Sequence, residues 1–465
     1  MGGALSWDYP ALLENVIRSL VDSAPFGIRS VGIDTWGLDF GLLDEKASLL
    51  EWPVSYRDLR TEGVMEAVTE HFGRETIYRR TGIQFLSGNT VYQLAALAAK
   101  RPELLDKAQT LLMMPDLLFY HLTGNISTEY TIASTTQLIN CTTRGWDDCL
   151  ISEFGLPRRI FTNLVSHGYS CLLSADLAGR HLLERLPVIK VASHDTASAV
   201  ISVPAREKNF AYISSGTWSV IGTELTAPVI DLSRTDWSNE AGQGGTVRYC
   251  RSLMGMWILE ECRSQLPSLK GLSYGTLMRL AEEAAPFRSL IDPQFPVFGT
   301  RCDIIGEIQR YCRESGQPVP ETPGQFLRCI FESTALNYAC GFEELCRSTS
   351  VGYDRLYIVG GGSRNGMINQ MTANAISREV IAGPAEATVF GNLFAQLDSV
   401  GKISGISQYR EMLSGSEGLL SVYHPEDGAV WRSQLKRFKA LIEAKNRPMI
   451  RKAVKTNEKT DKRSQ

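Results

Sequence analysis

Three stretches of the sequence hold residue types that could do chemistry. Ser193-His194-Asp195-Thr196-Ala197-Ser198 sets a carboxylate at the end of an apolar segment and before a run of small residues. Moving a phosphoryl group to an alcohol is mostly positioning and charge stabilisation, with one carboxylate to accept the hydroxyl proton, and Asp195 suits that part. An aspartate there could equally cap the following helix, and a lone His194 is more often a satisfied polar group than a catalytic one. Ser214-Ser215-Gly216-Thr217-Trp218-Ser219 is rich in hydroxyls and amide donors, the makings of a turn that holds phosphate oxygens without charge of its own. A hydroxyl-rich hairpin turn is the plainer reading. Gly360-Gly361-Gly362 follows an apolar strand and precedes a helix, which opens backbone N–H groups to phosphate or adenine. Consecutive glycines also serve tight turns. No Gly-Lys-Ser/Thr follows, which excludes a Walker A loop, and the dinucleotide glycine spacing fails as well.

The elements that must position these residues alternate between strand and helix. Apolar spacing predicts a helix over 10–24, with Pro10 near its start. Residues 30–44 read as strand, glycine corner and second strand. Helical patterns follow over 62–73 and 90–124, the second ending at Gly124. Short apolar strands separated by small-residue turns fill 187–216, and a helix covers 325–347. The segments 355–365 and 379–401 each read as strand, loop and helix. Such alternation predicts α/β lobes with mixed sheets, and no short-period repeat points to a solenoid.

At 465 residues the chain is long enough for two or three cores. Hydrophobic residues make up 43%, charged residues 21%, and the formal net charge is −3. That balance excludes a wholly disordered chain and gives no electrostatic reason for a nucleic-acid or anionic-membrane partner. No apolar stretch is long enough to span a bilayer, and the N-terminus lacks the pattern of a secretory signal. None of the ten cysteines forms a Cys-x-x-Cys pair, so reduced thiols in a cytoplasmic protein are expected and a zinc site is not. The polar, basic stretch 446–465 reads as a solvated, disordered tail.

Taken in order, GIDTWGLDF (32–40), YRDLRT (56–61), TGIQFLSGNTVYQL (81–94), LMMPDLLFYHLTG (112–124), EYTIASTTQL (129–138), SHDTASAV (193–200), SSGTWS (214–219) and IVGGGSRN (358–365) resemble the FGGY carbohydrate kinases. The resemblance spans roughly residues 6–425 and rests on many separate blocks. It implies two actin-like, ribonuclease-H-like lobes with a central cleft: a sugar-binding lobe over 1–203 and an ATP-binding lobe over 204–445. It implies ATP and Mg2+ as cofactors, and a small ketose, L-rhamnulose, phosphorylated on its 1-hydroxyl. Asp195 then corresponds to the catalytic base. Gly37, His194, Thr196 and Ser252 correspond to sugar contacts, and Thr217, Glu260 and Gly361 to ATP contacts. A monomer or small homo-oligomer is expected.

The sequence departs from the family's pattern in three places. The family opens with an Asp-Leu-Gly-x-x-Ser-x-Arg turn whose Asp helps hold Mg2+, and no such segment stands upstream of Asp34. The expectation is therefore an N-terminal lobe lacking its first strands, with activity weakened because a metal-proximal carboxylate is gone. Asp34 matches a conventional position of the next block and is not expected to substitute. Ser252 stands where the family typically has Asn, and Glu260 where it has Gln. The latter brings a negative charge toward phosphates unless it is paired. The competing readings are an impaired remnant that binds sugar or nucleotide, a kinase of another deoxy-ketose, and an actin-like assembly protein that would leave the sugar-lobe blocks unexplained.

Overall fold

The computed structural model describes residues 4–461, with side chains through residue 445. The chain divides into two compact units. The first comprises Met1–Lys208, Gly222–Arg251 and Glu386–Glu417, and the second Asn209–Ile221, Ser252–Ala385 and Gly418–Gln465. This division by contacts differs from the expected lobes, 1–203 and 204–445, in that two later segments group with the first unit. Part of the reason is visible at the helix Ala387–Ser399, which packs on the helix Asp195–Ile201 so closely that a Cβ on Gly391 would fall 1.7 Å from the Ser198 carbonyl oxygen.

In the first unit, the helix Tyr9–Ser23 starts where expected, with Pro10 in its first turn and the Asp8 carboxylate accepting from the Ala11 N–H. The strands Phe40–Leu43 and Thr110–Met113 pair antiparallel, Phe40 opposite Met113. Their side chains alternate between two cores, as the period of two dictates. Phe40, Leu42, Leu111 and Met113 join Ile77, Tyr92 and Leu94 on one face. Leu43 and Leu112 join Tyr9 and Leu117 on the other. A ribbon buried on both faces carries no polar alternation, and this is why 90–124 reads as a helix in the sequence. The structure instead has helices Thr90–Lys100 and Pro102–Lys107, the strand Thr110–Met113 and the helix Met114–Thr123, with the first break at Arg101-Pro102. Gly124 closes the last helix at φ 78°.

Three further strands of the first unit form a small sheet. Val31–Gly32 lies parallel to Pro187–Ile189, which in turn lies antiparallel to Ser170–Leu172. Beyond Ile189 the chain turns into the helix Asp195–Ile201, where the sequence suggested a strand. Its Ala197, Ser198 and Ala199 are buried, small enough to admit the neighbouring helix.

The second unit holds the strand Arg355–Val359 between two parallel neighbours, Ala211–Ser215 and Glu379–Ala382, with Ser421–Tyr423 antiparallel at the far side of the latter. Two longer strands, Trp218–Leu225 and Val247–Met254, each begin in one unit and end in the other. The helix Pro323–Thr349 has a full capping box between Thr322 and Gln325, and residues along its length are buried. The last helix, Gly428–Asp461, runs through most of the segment expected to be a disordered tail, and residues 462–465 lie outside the described residues. Among the described residues no helix is long and apolar enough to cross a membrane.

Candidate active site

The turn at Ser193-His194-Asp195 extends the strand edge by pairing with Thr35. The Thr35 N–H donates to the Ser193 carbonyl, and the Asp195 N–H donates to that of Thr35, both at 2.9 Å. Asp195 opens its helix without serving as a cap: its Oδ1 accepts from its neighbour, Thr196, at 2.5 Å from N and 3.1 Å from Oγ1. The Asp195 side chain stays 44% exposed, open to a ligand, whereas that of His194 is 13% exposed. His194 Nε2 lies 3.5 Å from Asp195 Oδ1.

Asp34, two residues beyond the strand Val31–Gly32, completes this end of the first unit. Asn392 Nδ2 donates to its Oδ2 at 2.6 Å. Burial pushes the Asp34 carboxyl up to about 6, Asn392 pulls it down, and the Asp195 charge adds to the rise. Gly37 lies against the Thr135 side chain, which a Cβ would approach to 3.0 Å, and Thr135 Oγ1 accepts from the Leu38 N–H.

One buried carboxylate ties these pieces together. Glu129 Oε2 accepts from the N–H groups of Thr131, Ile132 and Ser193, and from Thr131 Oγ1. Thr131 Oγ1 accepts in turn from the His194 N–H at 3.2 Å. Burial pushes Glu129 up to about 7, against the pull of its hydrogen bonds. Behind it, Lys190 Nζ lies 2.5 Å from Asp116 Oδ1, with both side chains 1% exposed. Asp116 Oδ1 also accepts from the Glu129 N–H.

The remaining expected residues belong to the second unit. Thr217 lies in a turn closed by the Gly216 N–H donating to the Trp218 carbonyl at 3.0 Å. The Thr217 carbonyl accepts from the Trp257 N–H at the start of the helix Trp257–Gln265. Ser215 and Ser219 hydroxyls flank the turn and meet the buried Tyr338 hydroxyl at 3.2 and 2.6 Å. The triple glycine packs on this turn's strand: a Cβ on Gly362 would fall 2.0 Å from Ser215 Oγ, and one on Gly360, at φ 83°, 2.9 Å from the Ser215 carbonyl oxygen. A Cβ on Gly361 would meet nothing within 4 Å, so its backbone faces open space. Ser252 is half-buried on Val247–Met254.

Residues 8–202 match the FGGY family of carbohydrate kinases, N-terminal domain, and residues 211–398 match its C-terminal domain. The chain belongs to the FGGY family of carbohydrate kinases. It is 43% identical over 447 residues to a rhamnulokinase of Bacteroides thetaiotaomicron, covering 95% of this chain and 91% of that one. A rhamnulokinase of Pectobacterium atrosepticum is 40% identical over 451 residues, with 96% and 89% covered. The fold is similar to that of the xylulose kinase of Lactobacillus acidophilus, with a TM-score of 0.80 at 16% identity over 96% of this chain and 90% of that one. Glycerol kinase of Plasmodium falciparum gives a TM-score of 0.77, also at 16% identity, over 96% and 90%. This chain is therefore an α/β carbohydrate kinase of two units.

In this FGGY kinase the charge on Glu260 is compensated. Arg263 Nη1 donates to both of its carboxylate oxygens at 3.0 Å, the Tyr274 hydroxyl donates at 2.8 Å, and the Arg263 guanidinium sits 5.2 Å from the Tyr274 ring centre. The condition set by the sequence, that this carboxylate be paired, is met. Sequence reasoning missed Glu129 and Asn392. Only Glu129 carried a signal, as the first residue of the EYTIASTTQL block.

Proposed function

We propose that this kinase transfers the γ-phosphoryl group of ATP to the 1-hydroxyl of L-rhamnulose. The observation that carries the reading is the exposed Asp195 carboxylate, fixed at a helix start beside His194 and Asp34, in a chain 43% identical to a rhamnulokinase. Asp195 takes the hydroxyl proton as the sugar oxygen attacks, while Gly37, His194 and Thr196 hold the sugar. On the nucleotide side the Thr217 turn and the open backbone at Gly361 approach phosphate, and Glu260, neutralised by Arg263, stands near the nucleotide without adding net charge.

Mg2+ bound with ATP would neutralise charge on the phosphates. Among the described residues no three His, Cys, Asp or Glu side chains gather as a metal cage. An ion that arrives on phosphates needs only one or two carboxylates. Asp34, set aside on sequence order, fits that need: its carboxyl is raised by burial and by the Asp195 charge, and a cation would relieve both.

The test is product identity and preference. Incubation with MgATP and a panel of ketoses, followed by phosphorus NMR of the product, is expected to give L-rhamnulose 1-phosphate. L-rhamnulose should have the highest kcat/KM by at least about tenfold, the worth of one good hydrogen bond in a shaped pocket. A higher kcat/KM for another ketose reassigns the substrate within the same chemistry.

A further inference from the structure

Arg248 comes from the strand Val247–Met254, and its side chain is fully buried. Its Nε donates to the Ala241 carbonyl oxygen at 2.9 Å. Its Nη2 donates both to Glu240 Oε2 at 2.8 Å and to His194 Nδ1 at 3.0 Å. A guanidinium holds its charge throughout the physiological range and carries donors only. The ring nitrogen that faces it must therefore offer a lone pair, which leaves the proton of a neutral imidazole on Nε2.

Glu240 is the other group at Nδ1, with its Oε2 at 3.4 Å. Burial works to raise that carboxyl, but the buried Arg248 guanidinium beside it overcomes that and holds it below the usual carboxylate range. Glu240 is thus an anion already engaged by Arg248, and it braces the guanidinium. On the opposite edge of the ring Nε2 faces Asp195, and the further charge near by is Asp34.

We infer that Arg248, braced by Glu240, is a positioning residue that fixes His194 as the Nε2–H tautomer and makes it a hydrogen-bond donor beside Asp195. The consequence for catalysis rests on the kinase reading above; the tautomer itself does not. An Nε2 that already carries a proton cannot take the one leaving the sugar hydroxyl, so that proton goes to the Asp195 carboxylate. The sugar oxygen then bonds to phosphorus as the bond to the ADP oxygen breaks. A donor at this place recognises an oxygen acceptor, such as the carbonyl or a hydroxyl oxygen of a ketose.

Two-bond proton–nitrogen spectra of the histidine-labelled full chain test this directly. There are six histidines, and His194→Gln assigns the signal by removing it. The expected pattern is a protonated Nε2 and a bare Nδ1. Arg248→Lys, still a donor without acceptor capacity, keeps that pattern. Arg248→Met leaves Glu240 nearest and moves the proton to Nδ1. In turnover, His194→Gln, whose amide nitrogen can stand in for Nε2, is expected to keep about tenfold more kcat/KM than His194→Asn, which mimics Nδ1. A parent protein with its proton on Nδ1 overturns the inference, as does an Nδ1–H ring in Arg248→Lys, and both readings stand even where Arg248→Met does not fold. A parent without turnover sinks the kinase reading alone, because the spectra still decide the tautomer.

Discussion

Glu129 accepts a hydrogen bond from the backbone N–H of Ser193 at 3.1 Å, across 64 residues of sequence. The same oxygen starts the helix Tyr130–Ser134, so one carboxylate fastens both the turn that carries His194 and Asp195 and the segment whose Thr135 supports Gly37. Glu129→Ala strands these donors in a buried place. It is expected to cost about 1–3 kcal/mol for each N–H left without a partner and to lower kcat/KM with it. Glu129→Gln keeps an oxygen acceptor and should retain most of both. Urea unfolding midpoints run beside steady-state kinetics check the pair. An alanine variant of parental stability contradicts this account.

The Lys190–Asp116 pair lies deeper, with Lys190 Nζ also donating to the Ser127 carbonyl at 2.8 Å and facing the Phe119 ring at 4.5 Å. Breaking a buried pair from one side leaves an uncompensated charge, so Lys190→Met should destabilise by about 3–5 kcal/mol. The double variant Lys190→Met with Asp116→Leu removes both charges and should recover part of that loss. Thermal melting of the two variants reads the difference, and equal melting points would show that the pair's charges do not matter to stability.

Acid dependence should centre on Asp34. Its folded carboxyl, at about 6, is raised above its ordinary value of 3.8, first by burial. A group that binds its proton more tightly in the folded chain contributes stability that is full below its unfolded value and is lost as pH rises through about 6. Activity runs the other way if the charged form is the working one: kcat/KM should rise with pH through about 6. Asp34→Asn should flatten both slopes, and Asn392→Ala should move the inflection upward by removing the hydrogen bond that favours the anion. A pH profile unchanged in both variants rules Asp34 out as the titrating group.

Gly391 tests the packing of the helix Asp195–Ile201. Gly391→Ala drives a methyl group into the Ser198 carbonyl, a backbone atom that cannot swing away. The expected cost is about 3 kcal/mol, the upper end for an overpacked interior, with kcat/KM falling because Asp195 opens the displaced helix. Chemical denaturation measures the first and initial rates the second. Parental values in both would mean that the two helices separate without consequence.

What the sequence made legible was local. The helix at Tyr9–Ser23, the glycine loop at 360–362 and the turn at 193–196 each announce themselves through caps, glycines or small residues close in sequence. The strand Thr110–Met113 was not legible, because burial on both faces erases the alternation that marks a strand. Arg248 and Glu240 were invisible for another reason. They reach His194 from 54 and 46 residues away, on strands whose neighbours no local period specifies. The same holds for Asn392, which meets Asp34 across 358 residues. It is pairing in space, not residue type, that turns these polar groups into a site.

The most direct test is ADP release by the 465-residue chain with MgATP, with and without L-rhamnulose, run beside Asp195→Asn. Release is expected to depend on the sugar and to fall by about a hundredfold or more in the variant, the range for removing a general base. Sugar-dependent release that survives in Asp195→Asn at the parental rate would contradict Asp195 as that base.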